Sequence, residues 1–287
     1  MHIILGGTGQ VGSAVARALL KRGEPVTIIT RDIDHGSGLK AAGARIAVVD
    51  IRDVARLREV FRTGKRAFLL NPPAAPSGDT DAEERANVAA IVKALDGSGL
   101  EKVVAASTYG AHPGERCGDL SVLYEFEQLL KAQSIPAAIN RGAYYMSNWG
   151  GMLDTVRDSG KLLSFIPTDM ALPMVAPQDL GEAAAHRLLE PVNDTSLRCV
   201  EGPEHYTPRD VADAFSEALD KAVEVTTVPR EAWEPTFMQF GFSKAAAQSY
   251  TCMTRTLVDG DSEKPDNPER GPTALRDYIR DIMKRAK

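Results

Sequence analysis

The sequence predicts an α/β fold: a doubly wound parallel sheet followed by a smaller, helix-rich lobe. Three observations predict it. The first half alternates short β-rich runs with longer helical patterns, the signature of parallel βαβ units. A loop of the form Gly6-x-x-Gly9-x-x-Gly12 lies between the first strand candidate and the first helix candidate. At 287 residues, 43% of them apolar and 25% charged, the chain can bury a sizeable core.

The expected strands are 2–5, 26–30, 45–49, 66–70, 102–106 and 136–140. They are apolar runs without strict alternation, as strands covered by helices on both faces should be. Helical patterns fall between them at 10–22, 54–63, after Thr80 with a Thr80-x-x-Glu83 capping box, and at 119–133. Right-handed crossovers through these helices give the doubly wound sheet. Beyond about Tyr144 the pattern becomes helix-rich, with short strands at 172–175, 197–201 and 222–228. Helices are expected there at 177–189, 208–219, 230–240 and 243–258, the second capped by Thr207 with Asp210 at its third helical position. Residues 260–272, with their Asp, Glu, Pro and Gly, read as a loop before a last helix at 273–285. The domain organisation expected is a nucleotide-binding domain over 1–150 and a substrate lobe over 151–287, partly interleaved with the sheet.

Composition excludes several classes of function. The formal net charge is −5 and there is no Lys/Arg stripe, so nucleic acid is not an expected partner. The short basic stretch Lys284-Arg285-Ala286-Lys287 reads as a solvated helix end. Three cysteines, Cys117, Cys199 and Cys252, are odd in number and lack C-x-x-C spacing. That argues against a disulfide framework and a structural zinc site, and no metal is expected. The N-terminus runs directly into a strand, and no segment approaches the ~20 continuous apolar residues of a membrane span. A reducing cytoplasm and no membrane are the expectation, with the chain a monomer or homodimer.

The glycine loop supplies the chemistry. Between a strand and a helix it brings backbone N–H groups at a helix N-terminus to a pyrophosphate, the Rossmann arrangement. Gly6 permits the tight turn, Gly9 lets the backbone approach the phosphates, and Gly12 lets helix and strand pack closely; Thr8, Gln10 and Val11 complete the loop. At the end of the second strand an NAD-specific site would carry an acid against the ribose hydroxyls. This chain has Thr30-Arg31 there, followed by Asp32. A guanidinium pairs with a 2′-phosphate, so NADPH is favoured over NADH. After the third strand, Asp50-Ile51-Arg52-Asp53 can meet the adenine amino group, or Asp53 can simply cap the next helix.

Glycine loop, Thr30-Arg31, Asp50, Ser107-Thr108 and the run Arg141-Gly142-Ala143-Tyr144-Tyr145-Met146-Ser147-Asn148 together resemble the NmrA-like family, an atypical branch of the short-chain dehydrogenase/reductase superfamily. The resemblance extends along most of the chain, including Met174-Val175-Ala176-Pro177-Gln178-Asp179-Leu180-Gly181. Glu125-x-Glu127-x-x-Leu130 followed by Arg141 is similar to NADPH-dependent quinone reductases of that family, whereas other members sense the cofactor without known turnover.

One departure stands out. Ordinary short-chain dehydrogenases place Tyr and Lys one helical turn apart, so that the ammonium lowers the phenol's pKa. Here Tyr109 is followed four residues on by Pro113, Tyr124 by Gln128, Tyr144 by Asn148 and Tyr145 by Trp149; in the helix itself, Lys131 sits near the C-terminal end. Quinone reduction tolerates weaker acid catalysis, because the acceptor is strong and positioning supplies much of the rate. Cleft residues are expected from the carboxyl ends of the strands: Asn71-Pro72-Pro73, Ser107-Thr108-Tyr109 and Arg141 through Asn148. Tyr109 and Tyr144 are candidates to donate a proton or to stack on a flat substrate, and equally to pack at the cleft edge. His112 reads as a loop residue, and Trp149, Met152, Trp233, Phe237 and Phe240 as pocket lining or core. The expected function is NADPH-dependent reduction of a quinone or small carbonyl compound. The alternative is an NADP(H) redox sensor; an epimerase or dehydratase is disfavoured because those need the Tyr/Lys pair.

Overall fold

The computed structural model describes residues 1–260 and 264–285. Strands and helices alternate from the start: β1 (His2–Ile4), α1 (Gln10–Lys21), β2 (Val26–Thr30), α2 (Ser37–Ala41), β3 (Arg45–Val48), α3 (Val54–Phe61), β4 (Arg66–Leu69), α4 (Thr80–Leu95), β5 (Lys102–Thr108), α5 (Gly118–Ala132) and β6 (Ala137–Gly142). The second half holds β7 (Tyr144–Tyr145), α6 (Leu153–Ser159), β8 (Lys161–Ser164), β9 (Leu172–Val175), α7 (Pro177–Leu189), β10 (Leu197–Glu201), β11 (His205–Tyr206), α8 (Pro208–Leu219), β12 (Glu224–Thr227), α9 (Trp233–Gln239), α10 (Lys244–Asp259), β13 (Glu269–Arg270) and α11 (Leu275–Arg285).

Among the described residues, eight strands form one sheet in the order β13-β10-β6-β5-β4-β1-β2-β3, every neighbouring pair parallel. The sheet is buried on both faces because successive side chains point to opposite sides. Ile3, Ile29, Leu69 and Val103 pack under α3, α4 and α5 with Leu57, Phe61, Ile91 and Phe126. Their sequence neighbours Ile4, Ile28, Phe68 and Val104 pack under α1 and α7 with Val15, Leu19, Leu180 and Leu188. This two-sided burial explains the unbroken apolar runs of the sequence. β10 and β13 come from the second half and extend the sheet beyond β6, while β7, β9 and β11 form a small sheet and β8 pairs with β12. A third core joins Trp149, Leu162, Met174, Phe215 and Tyr278; a fourth joins Trp233, Phe237 and Ala247 with Phe165, Phe242 and Tyr250.

Several boundaries agree with the sequence patterns to the residue, among them β2, β9, α7, β10 and α8 with its Thr207–Asp210 capping box. Others move. The cap of α4 is Asp79, whose carboxylate accepts from the Ala82 N–H at 3.2 Å, so Thr80 is the first helical residue and not the cap. A carboxylate caps at least as well as a hydroxyl, and Asp79 takes the place one residue earlier. Part of the expected 260–272 loop, residues 261–263, lies outside the described residues, as do Ala286 and Lys287; Lys284 and Arg285 are the exposed end of α11.

The cysteines require a correction. Cys117, at the start of α5, and Cys252, on α10, form a disulfide, with Cα atoms 5.1 Å apart and a sequence separation of 135. An odd cysteine count says nothing about which two of three the topology brings together. The inference of a reducing compartment, which rested on that count, loses its basis. No helix among the described residues is long and apolar enough to cross a membrane.

Candidate active site

The glycine loop lies at the carboxyl end of β1, the middle of the sheet. Gly6 has φ +67°, in the left-handed region that a Cβ disfavours. A Cβ on Gly12 would sit 2.1 Å from the Gly6 carbonyl oxygen, so the loop closes on α1 only because Gly12 has none. α1 starts from Gly9 with no side-chain cap and no acid in its first turn. Its first N–H groups and the positive end of its dipole are therefore left for an anion. Thr8 Oγ1 is 3.3 Å from Thr30 Oγ1, and Gln10 Oε1 accepts from the Tyr278 hydroxyl of α11 at 3.4 Å. Val11 turns into the core.

Arg31 leaves β2 exposed and makes no ion pair among the described residues. Asp32 does not compensate it: its carboxylate accepts from the Asp34 N–H at 2.9 Å and faces His35 at 3.9 Å. Asp50 Oδ1 accepts from the Arg52 N–H at 2.9 Å, Ile51 is buried, and Asp53 caps α3 by accepting from the Arg56 N–H at 3.0 Å. At the end of β4, Asn71 donates to the Glu84 carbonyl at 3.3 Å, while its Oδ1 is buried with no partner among the described residues. Beside it the Pro72 carbonyl accepts from Asn87 at 3.4 Å and Pro73 is exposed. An uncapped helix start, an unpaired cation and an orphaned buried acceptor fit a phosphorylated dinucleotide.

Ser107, Arg141 and a residue of α5 form an internal network. The Ser107 hydroxyl donates to Glu127 Oε1 at 2.6 Å, and Arg141 grips the same carboxylate through Nε at 2.8 Å and a terminal nitrogen at 2.9 Å. Lys131 approaches Glu127 from solvent at 3.8 Å. This pins β5, α5 and β6 together through Glu127 and Arg141, the pair that the resemblance singles out. Thr108 donates to the neighbouring Tyr109 carbonyl at 3.3 Å. Tyr109 is buried and its hydroxyl donates to Glu201 Oε1 at 3.0 Å, with Arg270 holding Glu201 at 3.0 Å. Burial first, then Cys199 and Glu201, raise that phenol far above its ordinary range. The hydroxyl of Tyr109, a candidate proton donor or cleft-edge residue, is thus engaged by Glu201. Tyr144, half-buried on β7, has its phenol pushed up to about 12 by desolvation, against a hydrogen bond with Asn148. Gly142 ends β6 so close to Tyr145 that a Cβ there would lie 2.9 Å from the Tyr145 ring.

The remaining candidates divide: Met152 and Phe240 line one pocket, and the others are structural. His112 Nδ1 lies 2.9 Å from the Pro113 carbonyl. Trp149, Trp233 and Phe237 are core, Met152 is partly buried, and Phe240 is exposed.

Sequence reasoning missed a group of acids. Asp81 and Glu84 on α4 are buried, and Asp119 stands on the first turn of α5. Asp81 accepts from the Gly118 N–H at 3.2 Å and pairs with Arg85 at 3.6 Å; Glu84 accepts from the Ala74 N–H at 2.9 Å. Desolvation and the Asp119 charge push Glu84 up to about 8, and desolvation and the Asp81 charge push Asp119 to about 6. Their spacing along the chain carried no signal, since first-turn acids are ordinary helix-dipole partners.

Comparison with known proteins agrees with this architecture. The chain is 22% identical over 250 residues to an NAD(P)H azoreductase of Xenophilus azovorans, covering 87% of this chain and 84% of that protein. Its fold matches a Citrobacter sp. triphenylmethane reductase complexed with NADP(H) at TM-score 0.81 and 20% identity, over 98% of this chain and 100% of that one. It also matches an Escherichia coli NADPH-dependent quinone oxidoreductase complexed with NADPH at TM-score 0.74 and 17% identity, over 98% and 99% of the two chains. The family model for the NmrA-like family matches residues 2–267, and the chain belongs to that family.

Proposed function

We propose that this protein is an NADPH-dependent reductase of a small, flat electrophile, a quinone or azo compound being the leading class. The observation that carries the reading is the uncapped α1 start at Gly9 combined with the exposed, unpaired Arg31 at the end of β2. The helix start takes the pyrophosphate and Arg31 the 2′-phosphate. Asn71 offers its orphaned Oδ1 to a donor of the bound dinucleotide. Bound in this way, the nicotinamide supplies a hydride. Tyr144 and Tyr145 present aromatic surface near the end of β6, suited to holding a flat acceptor. The named activities of the azoreductase, triphenylmethane reductase and quinone oxidoreductase relatives support the same class of acceptor.

A second reading, a sensor that binds NADP(H) without turnover, draws on the commitment of the Tyr109 hydroxyl to Glu201. One measurement separates the readings, and a second tests the phosphate ligand that both share. Purified protein should oxidise NADPH only when a quinone or azo acceptor is added; no acceptor-dependent oxidation across a broad panel rejects the reductase. Arg31→Ala should weaken NADPH by about tenfold or more, the loss of one charge-assisted pair of about 1.5–3 kcal/mol, and leave NADH affinity unchanged. An unaltered ratio of the two affinities in calorimetric titration rejects Arg31 as the phosphate ligand.

A further inference from the structure

We propose that Tyr278 of α11 is a positioning residue for the cofactor: its hydroxyl holds the carboxamide oxygen of Gln10 and leaves the amide N–H groups for the pyrophosphate. The inference rests on the NADPH-binding half of the reading above. Gln10 is the first residue of α1, directly after Gly9 of the glycine loop, and it is exposed there. The Tyr278 hydroxyl donates to Gln10 Oε1 at 3.4 Å, across a sequence separation of 268. Gln10 Nε2 has no hydrogen-bond partner among the described residues.

The last helix reaches the loop because α7 holds both α1 and α11. α7 packs along α1 so closely that a Cβ on Gly181 would lie 2.3 Å from the Ala14 Cβ. Asp179, on the same turn of α7, accepts from the Thr273 N–H at 3.0 Å and from the Thr273 hydroxyl at 2.7 Å, just ahead of α11. At the first residue of α11, the Leu275 N–H donates to the Tyr206 hydroxyl at 3.3 Å. Tyr278 stands about one turn into the helix that these bonds anchor. Its side chain is buried in the core that holds Met146 and Trp149, with Tyr144 packed against that core. The contact with Gln10 therefore joins the glycine loop to the lobe that carries Tyr144.

A carboxamide presents an acceptor at one end and two donors at the other. A pyrophosphate offers acceptors and negative charge, so the nitrogen end of Gln10 binds it and the oxygen end repels it. An unrestrained glutamine at a helix start presents either end. A tyrosine hydroxyl donating to Oε1 selects the orientation that leaves the donors for the anion, and fixing that orientation beforehand reduces the entropy lost on binding. Burial raises the Tyr278 phenol above its ordinary value, so the hydroxyl keeps its proton and remains a donor.

Tyr278→Phe keeps the ring and removes the hydroxyl. The NADPH and NADH dissociation constants of this variant, measured by calorimetric titration, should both rise about two- to tenfold, since both cofactors carry the pyrophosphate. Their ratio should remain that of the wild type, unlike the change expected for Arg31→Ala, and the melting temperature without cofactor should be unchanged. Gln10→Ala should weaken both cofactors, and adding Tyr278→Phe to it should cost nothing more, because the hydroxyl acts through Gln10. Gln10→Glu, which keeps an acceptor for Tyr278 and replaces the amide donors with a charged oxygen, should bind both cofactors more weakly than Gln10→Ala. Wild-type affinities in Tyr278→Phe would overturn this proposal alone, as would losses that add in the double variant or wild-type affinities in Gln10→Glu. A loss of affinity in Tyr278→Phe that comes with a lower melting temperature and is absent from Gln10→Ala would also overturn it, in favour of a purely structural tyrosine. A wild type that binds neither cofactor would overturn the NADPH reading and this one together.

Discussion

Cys252→Ser should be among the most destabilising single changes in the chain. The disulfide with Cys117 closes a loop with a sequence separation of 135. On the chain-entropy account, such a crosslink lowers the unfolded state's entropy by the equivalent of about 5 kcal/mol. Its position adds a local effect. It ties α10, which packs on α4 and α5, to the turn that carries Asp119. Urea denaturation of the variant should show a much lower midpoint, and a thiol reductant should bring the wild type to nearly the same value. Equal midpoints for wild type with and without reductant, together with no crosslinked peptide in a non-reducing digest, would show that the bond does not form.

Glu127→Ala should cost about 3–5 kcal/mol, the range for removing one partner of a buried ion pair. The Glu127 side chain is 1% exposed and accepts from both Ser107 and Arg141, whose own side chain is 12% exposed. Truncation removes the carboxylate that Arg141 and Ser107 share and leaves the buried Ser107 hydroxyl without its acceptor. Because these groups join β5, α5 and β6 below the cleft, NADPH affinity should fall along with the melting temperature. A double variant that also replaces Arg141 with methionine should lose less than the sum of the two single changes, since Glu127 and Arg141 share two hydrogen bonds. Additive losses in the double variant would mean that the pair is not coupled as its geometry requires.

The fold was legible because its signals are local. Apolar runs at β1 to β6, the glycine loop and the Thr207–Asp210 box each declare themselves within a few residues. The two-residue strands β7, β11 and β13 were not, because pairing that short is decided by the neighbour and not by the segment's own pattern. The strand, turn and helix start around the glycine loop were equally readable, since they are contiguous in sequence. Arg31 is where the sequence placed it, and Asp32, the residue that complicated its reading, is engaged within its own turn.

The surroundings of the candidate acids were not readable, for a physical reason. Whether Tyr109 is an acid depends on Glu201, 92 positions away, and on burial that no local pattern reports. The upward shift of Asp119 depends on burial and on Asp81 of another helix, and that of Glu84 on burial and on Asp119. Long-range electrostatics shift one carboxyl from its ordinary range and leave another alone, and the residue letters are the same in both cases. The disulfide escaped notice for the same reason: the contact between α5 and α10 is tertiary.

The most direct measurement is a single turnover with NADPH deuterated at the transferable C4 position and a quinone acceptor. A reductase that takes hydride from this position predicts one NADP⁺ formed for each quinone reduced, loss of the label from the cofactor, and a slower reaction than with unlabelled NADPH. Tight binding of labelled NADPH that remains intact in the presence of acceptors would contradict it, and would assign the glycine loop and Arg31 to a protein that senses the cofactor without using it.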